Sequence, residues 1–366
     1  MKIGVVIHGP EIIDSGLAKK ILDILEQKGE VIAKLGGTMG RTAVIDAFLE
    51  NRIDISESLK PSEALARLEE ICDVIYLLNH GKSEETGHAF GRIVLSHVKI
   101  TKPLVQIERP TDGTIIPWTP NSKSYAEDIA NILGMEVVEP PPIYKNIRKK
   151  NGRIYRKVSG VYPQENILVN GVVIGTSNSS EVEIVSENNK IIDLIGGTIK
   201  KHGIEKLERL GHVDLESVLI KTGAIRRSSF KPRIGTKYKL LNNIKKIVII
   251  DHSAEKSFEI AQNADIAVTV GDDTTAIAGS ILYRLGIPII GITDGDIDGI
   301  ISNIHIPPKS MIIKLKSGND DIVGKIIRTK LFKGKDLIEL NNMSIDEFKE
   351  SILKIANSKI IAIDTY

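Results

Sequence analysis

Ile287-Pro288-Ile289-Ile290-Gly291-Ile292-Thr293-Asp294-Gly295-Asp296-Ile297-Asp298-Gly299 is the stretch whose reading decides the fold. An apolar run of strand length stops abruptly at Asp294, Asp296 and Asp298, which alternate with other residues and repel one another. Such a charge needs compensation, and a hard divalent cation held by oxygen ligands is its usual partner. Open α/β sheets place their ligand sites at the carboxyl ends of their strands. The stretch therefore predicts a buried parallel strand that ends in a Mg²⁺ or phosphate site.

The same rhythm extends to either side. Upstream, the pattern predicts strand 247–250, helix 255–262, strand 266–270 and helix 275–285, with strand 288–292 leading into the acids. Between them, Val270-Gly271-Asp272-Asp273-Thr274-Thr275 passes from strand to helix. Gly271 permits a tight turn, while Thr274 and Thr275 can cap the helix and present its amides to a phosphate. A capped turn alone would use the same residues. Asp272 and Asp273 would repel a bare phosphate, so a cation has to lie between, and Asp294, Asp296 and Asp298 can help to hold it.

The amino-terminal part shows a second α/β series. Strands are expected over 2–8, 30–35, 73–78 and 103–107, with helices over 16–28, capped by Asp14-Ser15, over 42–50, over 62–71, capped by Ser62, and over 124–133. Strand–helix alternation at this spacing implies a parallel sheet with helices on its faces, a Rossmann-like domain. Its strand ends carry His8, His80 in Asn79-His80-Gly81, and Glu108 before Arg109-Pro110, residues expected to converge on a cleft. Gly36-Gly37-Thr38-Met39-Gly40-Arg41 forms a glycine-rich turn into a helix; Gly36, Gly37 and Thr38 could cradle an anion and Arg41 could pair with it, although a tight turn with a threonine cap explains the same residues. It has no Walker lysine and is not Gly-x-Gly-x-x-Gly.

Pro140-Pro141-Pro142 marks a boundary. Beyond it, 166–169 with 172–175 around Asn170-Gly171, and 181–186 with 190–195, read as hairpins, followed by a helix over 199–210. The expected organisation is a Rossmann-like α/β domain over 1–140, a basic linker with a small α+β segment over 141–245, and an α/β domain over 246–366.

Composition bounds the function. The 366 residues have 42% hydrophobic content and mean hydropathy of -0.01, as expected of a soluble globular protein, and no apolar run reaches transmembrane length, while net charge +2 argues against a generally basic nucleic-acid binder. The charge is uneven: Tyr144–Ser159 holds seven Lys or Arg and no acid, and Lys221–Lys246 holds nine and no acid. The second run, 221–246, is the candidate contact for nucleic acid. Few aromatics lie near it, so no base-stacking platform is indicated. The single Cys72 excludes an internal disulfide and suits a reducing cytoplasm.

Three resemblances follow from these residues. Ile289 to Gly299, with Asp294 and Asp296 at its centre, looks like the Asp-x-Asp strand of TOPRIM domains, and so do the preceding elements from Ile247. That implies a TOPRIM-like domain at 246–366 and Mg²⁺-dependent work on nucleic acid. Asp251-His252, with Glu255 a turn later, stands where those families place a glutamate. Gly271-Asp272-Asp273-Thr274 followed by Gly286 to Ile292 is similar to phosphofructokinases, which implies Mg²⁺-assisted phosphoryl transfer, although one glycine precedes the acids here. An EF-hand is a poor fit, since His305 falls where the loop needs a bidentate glutamate. His8-Gly9-Pro10-Glu11 and Leu35-Gly36-Gly37-Thr38-Met39-Gly40-Arg41 resemble an uncharacterised family of archaeal proteins over most of the length, which implies an archaeal cytoplasmic protein and brings no activity. The functional expectation is a Mg²⁺-dependent binder of a nucleotide or phosphorylated metabolite, with a nucleic-acid-processing protein and a non-catalytic sensor as alternatives. The oligomeric state stays open.

Overall fold

The computed structural model describes residues 1–366 except 39, 142–145, 171, 219, 223–244, 252–253, 295–305 and 341–343. The chain forms two compact units. The first holds Met1–Gly37, Arg52–Asp54 and, of the described residues, 59–222. The second holds the described residues of Thr38–Asn51, Ile55–Ser58 and 245–366.

In chain order the first elements are β1 (Lys2–His8), α1 (Glu11–Asp14), α2 (Leu17–Glu26), β2 (Glu30–Gly36), α3 (Arg41–Asp46), β3 (Ile53–Asp54), α4 (Pro61–Ile71), β4 (Val74–Asn79), α5 (Glu84–Leu95), β5 (Leu104–Glu108), β6 (Thr114–Pro117), α6 (Lys123–Leu133) and β7 (Glu136–Val137). All but α3 lie in the first unit. Their sheet has the order β3-β2-β1-β4-β5-β6-β7, parallel from β3 to β5, with β6 antiparallel to β5. Val6, Ile75, Leu77 and Leu104 pack against Ala64, Leu65 and Leu68 of α4 and Val94 of α5. From β1 the chain first moves outward through α2 to β2, and from β4 it moves the other way through α5 to β5. With right-handed crossovers those two helices lie on opposite faces, so the topological switch point falls between β1 and β4.

The rest of the first unit is antiparallel: β8 (Ile147–Lys150), β9 (Arg153–Val158), β10 (Asn166–Val169), β11 (Val172–Ser177), β12 (Val182–Glu187), β13 (Lys190–Ile195), β14 (Gly197–Ile199), α7 (Lys201–Leu210) and β15 (Ile220–Thr222). Two four-stranded sheets, β14-β11-β10-β15 and β13-β12-β9-β8, share a core that includes Ile167, Ile174, Ile184, Leu194 and Leu207. The β12–β13 turn places Asn188 and Asn189 at positive φ, as a two-residue hairpin turn requires.

The second unit contains β16 (Lys246–Asp251), α8 (Ser257–Ala261), β17 (Ile266–Val270), α9 (Asp272–Leu285), β18 (Ile289–Thr293), β19 (Met311–Leu315), α10 (Asp320–Lys330), β20 (Leu337–Glu339), α11 (Ile345–Ala356) and β21 (Ile360–Thr365). The sheet order is β20-β16-β17-β18-β19-β21, with four parallel strands between two antiparallel edges. Val248, Ile250, Ala267 and Ile289 pack with Ala278 and Leu282 of α9, whereas Ile249, Val268, Ile290 and Ile292 pack with Val323, Ile327, Phe348 and Ile352 of α10 and α11. Each face of the sheet is therefore covered, which explains why its strands read as continuous apolar runs.

Several expected boundaries differ for local reasons. Asp14 ends α1 instead of capping the next helix; α2 starts after Gly16, whose φ of 77° breaks the chain between the two. The helix expected over 42–50 stops at Asp46, and Phe48 is left-handed. Pro61, not Ser62, opens α4, and the Glu63 side chain accepts from the Lys60 amide at 2.7 Å. The helix expected over 199–210 gives up its first residues to β14. The helix expected from Thr275 begins at Asp272, because acids in a first turn oppose the helix dipole favourably. Among the described residues no helix is long and apolar enough to cross a membrane.

Candidate functional site

The carboxyl edge of the second unit's parallel sheet collects acids from successive strands. Asp251 ends β16, Gly271-Asp272 follows β17, Thr293-Asp294 closes β18, and Asp320 opens α10 after β19. The backbone N–H of Asp294 donates to Asp272 Oδ1 at 3.2 Å, and Gly318 N–H donates to Asp294 Oδ2 at 2.6 Å. Gly271 takes φ 96° and ψ 150°, a conformation open essentially to glycine alone, and makes the N-cap of α9. A side chain there would meet Thr274 Oγ1 at 3.6 Å and Asp320 Oδ2 at 3.8 Å. Thr275 is buried and its hydroxyl lies 2.9 Å from that of Thr269, so it locks the first turn of α9 to β17. Asp272 and Asp294 are thus brought together beside Gly271 and Thr274, and Asp273 follows in the first turn of α9. Asp296 and Asp298 lie outside the described residues. Among the described residues no three His, Cys, Asp or Glu side chains are grouped closely enough to hold a metal ion by themselves.

The glycine-rich turn of the amino-terminal part is divided. Gly36 and Gly37 belong to the first unit, Thr38 and Arg41 to the second. Gly36 sits where a Cβ would lie 2.8 Å from Pro61 Cα, and Gly37, at φ 98°, donates its amide to Leu59 O at 2.7 Å. Arg41 is only 2% exposed; it forms an ion pair with Glu259 and lies over the Phe258 ring, 4.8 Å from its centroid.

In the first unit, the switch point holds a buried polar chain. Glu108, at 0% exposure, accepts from Asn79 Nδ2 (2.8 Å), Gly81 N (2.6 Å) and Gln106 Nε2 (2.8 Å). Gln106 also donates to Gly87 O at 2.9 Å and accepts from the Trp118 indole N–H at 2.9 Å. An indole N–H can only donate and a carbonyl can only accept, so both ends of the Gln106 amide are fixed. His8 Nδ1 lies 2.8 Å from Asn79 Oδ1, and its ring stacks on Phe90 at 4.1 Å. With Glu108 ionised, Asn79 turns its amide hydrogens to the carboxylate and its oxygen to His8, so the network assigns the proton to His8 Nδ1. Burial pushes the Glu108 carboxyl above its ordinary value, against the pull of those donors. His80 is shifted down by burial and by the Arg109 charge, and its Nδ1 is buried with no hydrogen-bond partner among the described residues.

Asn79 is the amide that joins His8 to Glu108, and Gln106 donates to Glu108 as well; the sequence places both amides at strand ends without giving them a role, and it gives none to Asp320 or Thr293. The available signal was polarity inside apolar strands: Gln106 and Glu108 alternate with Val105 and Ile107 on β5. The fold and these clusters define a mixed α/β protein with two sheets built on parallel strands and a polar centre at the carboxyl edge of each. The chain belongs to a family described as uncharacterised proteins conserved in archaea (DUF2117), whose model matches residues 5–335. It is 45% identical to an uncharacterised protein of Methanocaldococcus jannaschii, in an alignment that covers 100% of this chain and 99% of that protein.

Proposed function

We propose that this protein binds a nucleotide or another phosphorylated metabolite together with Mg²⁺ at the carboxyl edge of the second unit's sheet, a site suited to phosphoryl transfer or hydrolysis. The observation that carries this reading is the meeting of Asp272 and Asp294 beside the amino terminus of α9. Mg²⁺ commonly takes one or two carboxylates and fills its remaining positions with water and substrate phosphate, so these two suffice without a closed protein cage. Asp273, Asp296 and Asp298 are the further ligands in this proposal, and Gly271, Thr274 and Thr275 are the residues that cradle phosphate. The cation would neutralise and orient phosphoryl oxygens that the carboxylates alone would repel.

For the first unit we propose a Rossmann-like domain, supported by the order β3-β2-β1-β4-β5 and by the cluster at its switch point. The TOPRIM-like reading of the second unit draws its support from the acids that end β16 and follow β18, Asp251 and Asp294. The single cysteine supports a cytoplasmic setting.

A thermal-shift screen against nucleotides and phosphosugars, with Mg²⁺ or with EDTA, tests the site. A ligand at 100 times its Kd stabilises by about 2.7 kcal/mol. The expected outcome is a Mg²⁺-dependent shift that Asp294→Asn removes. No shift with any of these ligands, and none with Mg²⁺ alone, sinks the reading. Nucleic-acid binding would instead show affinity that falls steeply with salt.

A further inference from the structure

We infer that Thr293 is the hydroxyl donor of an oxyanion pocket at the amino terminus of α9, and that this pocket takes a terminal phosphate and rejects the internal phosphodiester of a nucleic-acid strand. The inference rests on the Mg²⁺–phosphate reading and narrows its ligand class. Side-chain parity along β18 sets the direction of Thr293. Ile290 and Ile292 join the core under α10 and α11, while Ile289 joins the core under α9. Gly291 and Thr293 therefore face α9. A Cβ on Gly291 would lie 2.8 Å from Thr275 Cγ2, which fixes the register of α9 against β18. Two strand residues onward is roughly 7 Å, and the helix covers that in four to five residues at about 1.5 Å each. That distance leads back from Thr275 to Gly271, the N-cap. The hydrogen bond from Asp294 N–H to Asp272 confirms the level independently.

Thr293 is 0% exposed, and its Oγ1 has no hydrogen-bond partner among the described residues. A buried hydroxyl of this kind carries a desolvation cost that a ligand oxygen would offset. α9 is 14 residues long and its N-cap is a glycine, so no cap side chain competes for the first-turn amides. A phosphomonoester has three non-bridging oxygens, enough for the α9 amides, the Thr293 hydroxyl and a cation held by Asp272 and Asp294. A phosphodiester has two, and both its ester arms would have to leave a point where the hydroxyl is wholly enclosed.

The test is a ³¹P NMR titration with methyl phosphate and with dimethyl phosphate, each in Mg²⁺, on the full chain and on Thr293→Val and Thr293→Ser. Wild type and Thr293→Ser should bind methyl phosphate and ignore dimethyl phosphate. Thr293→Val should bind methyl phosphate roughly tenfold more weakly, the loss of one hydrogen bond to a charged group, with its response to Mg²⁺ alone unchanged. Equal methyl phosphate affinity in Thr293→Val and wild type overturns the inference and leaves the Mg²⁺ site standing. Dimethyl phosphate binding as well as the monoester in wild type overturns it without recourse to a variant. Failure of wild type to bind Mg²⁺ and methyl phosphate removes both readings.

Discussion

Glu108 shows how one side chain can set the chemistry of a strand end. It lies at the end of β5 without exposure, surrounded by three donors, and burial still holds its pKa above the ordinary 4.5. A carboxyl whose folded pKa is raised takes up a proton more readily in the folded chain than in the unfolded one. Its contribution to stability is therefore complete below about pH 4.5 and is lost as pH rises through the higher folded value. In Glu108→Gln that titration disappears, and one amide N–H₂ must face donors from Asn79, Gly81 or Gln106. Such a buried mismatch costs about 1–3 kcal/mol. The destabilisation of Glu108→Gln relative to wild type should accordingly be largest near pH 4 and shrink toward neutrality, as read from urea unfolding across that range. A penalty that grows with pH would show that the donors, not burial, dominate the site. His8 lies at the other end of the same chain, and ¹⁵N shifts of its ring would report the proton on Nδ1 directly.

At the scale of the element, α5 is shaped by what it packs against. A Cβ at Gly87 would overlap the Glu108 carboxyl carbon, and one at Gly91 would overlap Gln106 Oε1. Two glycines one turn apart let the helix backbone lie directly on the polar pair, at a cost of about 1 kcal/mol each in helix propensity. Gly87→Ala should therefore destabilise the protein by about 1–3 kcal/mol, overriding alanine's better propensity. Thermal unfolding measures it, and a neutral or stabilising alanine would show that α5 can move away freely. The same glycines explain why α5 was not legible in the sequence: Gly-His-Ala-Phe-Gly reads locally as a broken pattern, and only the buried Glu108 makes sense of it. The strands that end at His8, Asn79, Glu108 and Thr293 were legible, because long apolar runs stop at polar residues wherever a parallel sheet meets its ligand edge. Beyond residue 305 the sequence reading assigns no element, although β19, α10, α11 and β21 complete the second sheet and cover its other face. Asp294 stands out in the sequence as a candidate site residue because of its charge. Thr293 does not stand out in the same way, since a threonine in an apolar run is ordinary strand chemistry until its burial and its lack of a hydrogen-bond partner among the described residues are known.

At the scale of the molecule, the second unit is not a contiguous stretch of chain. The chain leaves the first unit after Gly37 and supplies Thr38–Asn51 to the second before it returns at Arg52. α3 is fastened there by buried charge. Arg284 of α9 donates from Nε to Asp46 Oδ1 at 3.0 Å and from Nη2 to Oδ2 at 2.8 Å, and the two side chains are only 5% and 2% exposed. Arg284 Nη1 is satisfied in turn by the Ser280 carbonyl at 2.6 Å. The fork of a guanidinium on a carboxylate fits this geometry, and removal of one partner leaves a buried charge uncompensated, at a cost of about 3–5 kcal/mol. That is a large part of the 5–15 kcal/mol that roughly holds a domain together. Asp46→Asn should therefore lower the melting temperature of the second unit although residue 46 lies in the first seventh of the sequence. Arg284→Met should do the same, and the double variant should lose less than the sum of the two, because neither charge is then stranded. Hydrogen exchange localises the effect: amides of α9 and β18 should lose protection in both single variants, while those of β1 and β4 keep theirs. Since α9 also presents Gly271 and Thr274 beside Asp294, either single variant should weaken methyl phosphate binding at temperatures where the unit begins to open, and leave it intact well below. Equal protection of α9 in all three variants would mean that α3 lies on the second unit without holding it.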